Sequence, residues 1–348
     1  LEAAEHIYDE MSAFASYAFN KSHAAAYALV AVWTAWLKTH HPVPFMAALM
    51  NSMLDNMPKV ASYIQYCRQN HIPILPPSVN HSGWRFSVDT APDGQKGIRF
   101  GLGGVKNVGR GAVDLIVKKR QSGPYQNIFD FVERVSGDAL NKRTVESLIK
   151  AGAFDGLGHN RAQLLLAYEP LMDDAAQKRR DNLAGQMSLF DLAPAAQSSS
   201  PVLFTMPSAH EHPRKILLGM EREMTGVYIT GHPLDEYREE LSQLDVNTRT
   251  LSLLSEESED RGLSMDGTRA VMGGIVTEVK TKATRKGDMM AFATLEDFYG
   301  STEALIFPKT YEKYRSLLQT DALVLMQGRL SVREDEAPRL IPDSVTPL

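Results

Sequence analysis

The hydrophobic periodicity of the chain changes along its length, and this change constrains the fold more than any other feature. Residues 268–348 alternate apolar and polar side chains with a period of two, which predicts β-strands. A helical segment, "PKTYEKYRSLLQ", separates the third strand from a final pair, an order that suggests a small closed barrel of the OB type. The first 70 residues and residues 101–168 read as helices instead. The sequence therefore predicts a multidomain α + β protein.

The helices at the start of the chain are delimited by polar and proline breaks. The stretch "AAEHIYDEMSAFASYAF" is followed by a break at Asn20 and Lys21 and then by "HAAAYALVAVWTAWLKTHH". This second helix is apolar on most of its faces, so we expect it to be buried. Pro44 and Pro58 stand where a third and a fourth helix are expected to begin, a position that tolerates proline. Two short strands, "WRFSVD" and "GIRFG", are expected after these helices.

Two glycine-containing hairpins of similar sequence follow, one within "GLGGVKNVGRGAVDL" and one within "GAFDGLGHNRAQLLL". A tandem of helix-hairpin-helix units would bind duplex DNA through backbone amides without reading its bases. The commoner use of such glycines is simply to end packed helices, and the duplication favours DNA only modestly. The residues expected to contact duplex DNA are Lys106, Asn107, Gly109, Arg110, Gly156, Gly158, Asn160 and Arg161.

The predicted barrel carries a basic loop, "KTKATRKG", between its first two strands, with two phenylalanines nearby. Basic residues beside aromatic side chains on one sheet face are typical of sites for single-stranded nucleic acid. An equally good interpretation is a solvated hairpin whose phenylalanines belong to the core. The residues expected to contact a single strand are Lys280, Lys282, Arg285, Lys286, Phe292 and Phe298.

The motif "FNKSH" precedes the apolar second helix. Asn20, Lys21, Ser22 and His23 could hold an anionic group, such as a triphosphate, against the positive end of that helix. From spacing alone, however, the simpler interpretation is preferred, in which Asn20 or Ser22 caps the helix and the two cations are solvated.

Several classes of protein are disfavoured by what the sequence contains. Its formal net charge of -5 argues against a uniformly basic nucleic-acid coat. A single cysteine, Cys67, excludes an internal disulfide and fits a reducing cytosol, so a cytoplasmic location is expected. We identify no pair of strand-borne carboxylates for two metal ions, no Walker loop and no nucleophile elbow. Neither a membrane-spanning segment nor a membrane partner is expected.

An apolar cluster stands in a segment whose composition is otherwise typical of a disordered linker. Residues 173–215 are of low complexity, yet "GQMSLFDL" places Met187, Leu189 and Phe190 close together. Such a cluster either docks on the protein's own surface or is displayed for a partner. From burial alone, docking on the hairpin domain is preferred.

The order of these motifs resembles that of one family. The stretches "YAFNKSHAAAYALVAVWTAWLKTHHPVPFMAALM", "ILPPSVN", "IRFGLGGVKNVG", "NKRTVESLIKAGAFD" and "TGHPLDEY", followed by the barrel, resemble the C-terminal part of the bacterial replicative DNA polymerases of the C family, the DNA polymerase III alpha subunits. The resemblance runs over nearly the whole chain. It departs from the family at Asn107, where the hairpin pattern usually has its first glycine.

The resemblance implies five regions. These are a helical fingers segment over 1–75, a tandem helix-hairpin-helix domain binding DNA and the clamp over 76–192, a flexible linker over 193–215, a helical connector over 216–265 and an OB-fold domain over 266–348. The family's PHP domain and its palm, with the catalytic aspartates, would precede residue 1. The chain also opens in mid-pattern without Met, so we expect a fragment of a DNA-directed DNA polymerase that binds DNA but is inactive alone.

The resemblance also implies partners for the motifs. Asn20, Lys21, Ser22 and His23 would contact the incoming dNTP or the primer terminus, while Mg²⁺ is held by ligands outside this chain. Primer-template DNA and other replisome subunits, the latter through segments not present here, are expected partners. A non-catalytic DNA-binding scaffold remains the alternative function. The peptide expected to bind the β sliding clamp comprises Gln186, Met187, Ser188, Leu189 and Phe190.

Overall fold

A helical region containing one small sheet precedes a closed barrel in the computed structural model. The structure describes residues 2–17, 21–135, 140–183, 205–256, 265–333 and 336–348. The predicted multidomain α + β architecture is confirmed.

Four helices open the chain. They are α1 (Glu2–Tyr17), α2 (Lys21–His40), α3 (Pro42–Ser52) and α4 (Met57–Gln69). Prolines stand in the first turns of α3 and α4, as predicted, although α3 begins at Pro42 rather than at Pro44. The side chain of Asn56 caps α4 by accepting a hydrogen bond from the backbone N–H of Lys59 at 3.2 Å.

The prediction that α2 is buried is wrong for this structure. Residues 22–40 are all exposed, and Tyr27 and Trp33 keep 64% and 58% of their surface accessible. The apolar core of the described residues begins only in α3, at Met46. An apolar sequence requires neighbours to become buried, and the described residues supply few neighbours to α2.

Both predicted short strands are present in a three-stranded sheet. Its strands β1 (Ile74–Leu75), β2 (Ser87–Thr90) and β3 (Lys96–Arg99) lie in the order β1-β3-β2. Strand β1 pairs with β3 in parallel, and β2 pairs with β3 in antiparallel register. The sheet packs on the same core as α3 and α4 through Ile98, which is fully buried.

The two hairpins share one core with this sheet. They are built from α5 (Arg110–Lys119), α6 (Ile128–Val135), α7 (Lys142–Lys150) and α8 (Arg161–Leu183), with a short 3₁₀ turn at Leu102–Gly104 ahead of α5. The ring centroid of Phe131 in α6 lies 5.0 Å from that of Tyr125 and 4.8 Å from that of Phe154, and both pairs pack edge to face. Burying an aromatic ring of this size stabilises a fold by about 1.5–3 kcal/mol, so this cluster holds the hairpins in place.

A connector then leads to the barrel. Residues 205–213 lie outside helices and strands, followed by α9 (Arg214–Thr225), α10 (Arg238–Ser242) and α11 (Thr248–Glu256). The connector that was predicted to be helical over 216–265 therefore consists of separate short helices. Gly226 ends α9 in the left-handed conformation with φ 79°, and the chain then continues without helix or strand to Gly231.

The barrel has the predicted order of elements. Strands β4 (Arg269–Ala283), β5 (Met289–Glu296) and β6 (Ser301–Ile306) precede α12 (Pro308–Tyr314), and β7 (Leu323–Ser331) and β8 (Arg339–Pro347) follow it. The sheet closes in the order β4-β5-β6-β8-β7. Alternate residues such as Ala291, Ala293 and Leu295 are fully buried inside, which explains the period of two in the sequence.

Candidate nucleic-acid interface

The turn of the first hairpin is set by Asn107. Its φ of 63° lies in the left-handed region, as expected for an asparagine that replaces glycine there. Its side-chain amide donates to Ser147 Oγ at 3.0 Å, and its carbonyl accepts from Thr144 Oγ1 at 2.9 Å. Both partners belong to α7, so the second hairpin's first helix fixes the loop of the first hairpin.

The start of α5, which follows this loop, lies open. No side chain of the described residues caps it. Apart from chain neighbours and the helix's own backbone, no described atom lies within 4 Å of the position that a Cβ would take at Gly109 or Gly111. The first amides of any helix lack an intrahelical partner. Lys106 is exposed beside them, and the Arg110 side chain is 64% accessible, 5.4 Å from the Trp84 ring centroid. The first turn of α5 and these two cations are therefore accessible from solvent.

The second hairpin has the predicted glycine turns but a closed helix start. Gly156 and Gly158 have φ of 84° and 88°. At the start of α8, the Gln163 amide donates to Asn160 Oδ1 at 2.8 Å, and the Asn160 amide donates back to Gln163 Oε1 at 3.2 Å. This reciprocal cap satisfies two of the donors that a helix start otherwise leaves open.

Arg161, which was predicted to contact duplex DNA, turns inward instead. Its guanidinium donates to Asp155 Oδ2 at 2.6 Å and to Glu221 Oε1 at 3.0 Å, and its side chain is only 5% accessible. Burial lowers the pKa of Arg161, but the two carboxylates outweigh burial and raise it above its ordinary value. The side chain is therefore an internal tie between the second hairpin and α9, and it is not presented to a nucleic acid in this structure.

Glu211, which falls within the predicted linker 193–215, occupies the remaining donors at the start of α8. Its carboxylate accepts from the backbone amide of Arg161 at 2.9 Å and from that of Ala162 at 3.2 Å. Desolvation raises the pKa of Glu211, but hydrogen bonds from the amides of Arg161, His212 and Ala162 outweigh it and lower this pKa below its ordinary value. This contact could not be predicted from the sequence, because Glu211 lies in a segment without regular periodicity.

The basic loop of the barrel leads into an outward-facing sheet surface. Phe292 lies between Lys280 of β4 and Leu305 of β6 in register, on the face opposite to the buried Ala291 and Ala293. Lys282, Arg285 and Lys286 are exposed around the β4–β5 turn. Lys280 pairs with Glu278 at 2.8 Å, so part of its charge is compensated locally. Five of the six residues predicted for single-strand contact thus lie along one outer edge of the barrel.

Phe298, the sixth of these residues, lies elsewhere. Its ring centroid is 5.1 Å from that of His232, and the Arg238 guanidinium lies 4.1 Å above it. It follows the end of β5, where the chain turns towards the connector. Glu296 beside it pairs with Arg222 of α9 at 3.0 Å. Phe298 therefore joins the barrel to the connector, a role that its position in the sequence did not indicate.

The other predicted sites are only partly described. Ser22 and His23 lie exposed in the first turn of α2, and the His23 ring is 4.4 Å from that of Tyr27. Asn20, the side chain of Lys21 and the peptide from Gln186 to Phe190 lie outside the described residues.

The described part of the chain contains neither a candidate metal cluster nor a membrane-spanning helix. No cluster of three or more histidine, cysteine, aspartate or glutamate side chains that could hold a metal ion lies among the described residues. Within the same residues, no helix has the length and apolar character needed to cross a membrane.

Comparison with known proteins agrees with this arrangement. Residues 71–164 match the family model described as a helix-hairpin-helix motif, and residues 270–348 match an OB-fold nucleic acid binding domain. The chain is 39% identical over 343 residues to DNA polymerase III subunit alpha of Xylella fastidiosa, with 96% of this chain and 28% of that protein covered. The same subunit of Saccharopolyspora erythraea is 38% identical over 348 residues, with 99% and 28% covered. The chain thus spans little more than a quarter of these relatives.

Proposed function

Because the chain belongs to the family of the bacterial DNA polymerase III alpha subunits, of which it corresponds to the C-terminal part, we propose that it serves template-directed DNA synthesis by holding DNA and the sliding clamp. Its described domains are of nucleic-acid-binding types. Nucleotidyl transfer itself is assigned to the whole subunit with Mg²⁺, in the cytoplasm. On this proposal the 348 residues alone do not extend a primed template when given dNTP and Mg²⁺, and extension in that assay would contradict it.

The proposal of duplex binding rests on one observation, the open start of α5. Its free first turn, the left-handed turn at Asn107 and the exposed cations Lys106 and Arg110 together suit a DNA phosphate. Backbone amides approach phosphate without reading bases, as a replicative polymerase requires. The second hairpin contributes its glycine turn, Gly156 and Gly158, to the same duplex-binding domain.

Single-stranded template is assigned to the barrel. The face of the second and third strands and the loop between the first two are the usual ligand surface of an OB fold. Here Phe292 offers a ring for base stacking, and the exposed residues Lys282, Arg285 and Lys286 offer positive charge along a backbone.

Two further contacts complete the proposal and rest on the sequence alone. Asn20, Lys21, Ser22 and His23 would orient the incoming dNTP in the whole polymerase. The peptide Gln186, Met187, Ser188, Leu189 and Phe190 would bind the β sliding clamp, with its two large apolar side chains in a pocket. Tethering to a ring around DNA raises the effective concentration for rebinding.

One set of variants tests the three binding contacts separately. We expect K106A/R110A to weaken duplex binding roughly tenfold and to reduce the salt slope by about 2, because two phosphate contacts are lost. F292A should weaken binding of an oligo-dT strand by about 1–3 kcal/mol, the contribution of one stacked base. L189A/F190A should abolish clamp capture without changing the melting temperature.

The matched control is K309A/K313A, which removes two exposed cations from α12 of the barrel. Binding should be measured by fluorescence anisotropy across a salt series. An unchanged duplex salt slope in K106A/R110A would exclude the first hairpin as the duplex site. A large loss of stability in L189A/F190A would instead support docking of that peptide on the protein itself.

A further inference from the structure

A segment of the predicted linker lies across the second hairpin, and we call this segment, residues 205–213, the strap. Its Glu211 carboxylate accepts from the amides of Arg161 and Ala162, its Ala209 carbonyl accepts from Asn160 Nδ2 at 2.9 Å, and its Pro207 carbonyl accepts from Gln163 Nε2 at 3.0 Å. Every one of these partners belongs to the loop or first turn of α8. The strap therefore covers the part of the hairpin that duplex binding would use.

We infer that the strap is an autoinhibitory contact in which Glu211 takes the place of a DNA phosphate on the second hairpin. The inference rests on the proposed duplex-binding function of the hairpins. A carboxylate and a phosphate both offer anionic oxygens, and both accept from consecutive amides at the positive end of a helix. Glu211 already makes these contacts with both of its oxygens.

The strap is held in a way that allows release. It has no helix or strand of its own, and its bonds to the hairpin run between side chains and backbone. Met206 is the only described strap side chain that packs on the apolar core, and it is half-buried. Segments with few buried contacts open locally at low cost. Arg161 would keep its buried bonds to Asp155 and Glu221, so only the amides would be exposed.

The first hairpin shows what a hairpin without a strap looks like. The first turn of α5 has no capping side chain among the described residues, whereas the first turn of α8 is capped by Asn160, Gln163 and Glu211. Duplex DNA can therefore bind the first hairpin directly, but it binds the second hairpin only after displacing the strap. Apparent duplex affinity is reduced by the fraction of molecules in which the strap is closed.

A variant of Glu211 in the full 348-residue chain tests this inference. We expect E211Q to bind a blunt duplex at least about threefold more tightly than the unchanged protein, because the open state becomes more populated. The salt slope should rise by about 1, since one more phosphate is engaged. The matched control is D174N on the exposed face of α8, which removes the same charge away from the strap and should change neither quantity. Equal binding by E211Q and D174N would overturn the inference.

Hydrogen exchange in the unchanged protein provides a second test, which requires no variant and so cannot be affected by a folding defect. On adding duplex, we expect the amide of His212, which now donates to Glu211, to exchange faster as the strap leaves, while the first turn of α5 becomes protected. Protection of α5 with an unchanged strap would overturn the inference and leave the proposed function standing. Protection of neither hairpin would count against the proposed function itself.

Discussion

The two hairpins share a glycine-containing turn but have opposite surroundings. The turn of each hairpin contains a residue in the left-handed conformation. The second helix of each begins with an arginine, Arg110 in α5 and Arg161 in α8. Arg110 is exposed beside Trp84, whereas Arg161 is buried between two carboxylates. Similar motifs therefore serve different purposes: the first hairpin presents its polar groups, and the second uses them to hold the connector.

The difference arises from one buried carboxylate. Glu221 of α9 is fully buried, and its Oε2 also accepts from the amides of Ile229 and Thr230, each at 3.0 Å. A buried carboxylate needs such partners because its transfer from water is costly. Arg161 supplies the countercharge, so the second hairpin, the end of α9 and the segment after it form one hydrogen-bonded unit.

The largest expected effect is the difference in stability between variants of Arg161 and Arg110. We predict that R161A lowers the free energy of unfolding by about 3–5 kcal/mol, because it leaves Glu221 buried without its countercharge. R110A should cost about 0.5 kcal/mol or less, since its exposed pair with Asp114 is solvent-screened. Urea denaturation followed by circular dichroism measures both. Equal losses in the two variants would contradict the contrast between the hairpins.

Glycine substitutions in the two hairpins should differ in their effect on stability by a smaller amount. Gly158 has φ 88°, so G158A should lower stability by about 1–2 kcal/mol through backbone strain. Gly109 has φ -84° and open space at its Cβ position, so G109A should leave the melting temperature nearly unchanged. It should nevertheless weaken duplex binding, because a methyl group would stand where the phosphate approaches.

As a control, duplex affinity is also measured for G158A, and stability is also measured for G109A. At a temperature where it is fully folded, G158A should weaken duplex binding less than G109A does, because the strap covers the second hairpin until duplex displaces it. If G109A bound duplex as well as the unchanged protein does, close backbone approach at α5 would be excluded. If it lost stability instead, the open geometry of this loop would be wrong.

The smallest expected effect depends on pH. Because the folded-state pKa of Glu211 lies below its ordinary value of 4.5, its contribution to stability is complete above that pH. The contribution is lost as the pH falls through the lower, folded-state pKa. The difference in melting temperature between the unchanged protein and E211Q should therefore persist at pH 6 to 7, begin to shrink below about pH 4.5 and then vanish. A difference independent of pH would show that Glu211 acts through packing alone.

Regular patterns in the sequence predicted the fold well where local rules decide it. The alternation in residues 268–348 gave the barrel with its interposed helix, and the paired turns gave the hairpins. Asn107 was expected to keep the left-handed turn, and it does. In each case the period or the conformation of a single residue carries the information, independently of distant neighbours.

Predictions that required knowledge of neighbours were less successful. The apolar sequence of α2 indicated burial, but the described residues leave it exposed. Phe298 was grouped with Phe292 because both follow the basic loop, yet it packs on His232 and Arg238 of the connector. Nothing in its local sequence marked Glu211 as a helix-capping group for a residue 50 positions away.

The sequence by itself determined the elements of this protein, because backbone conformation and hydrophobic period are properties of short segments. Tertiary structure alone decided which polar groups remain available for a ligand. Arg110 and Arg161 are alike in sequence, but only one of them lies near Glu221 once the chain has folded. Desolvation and charge pairing depend on distance in space, so they distinguish two hairpins that local rules treat as the same.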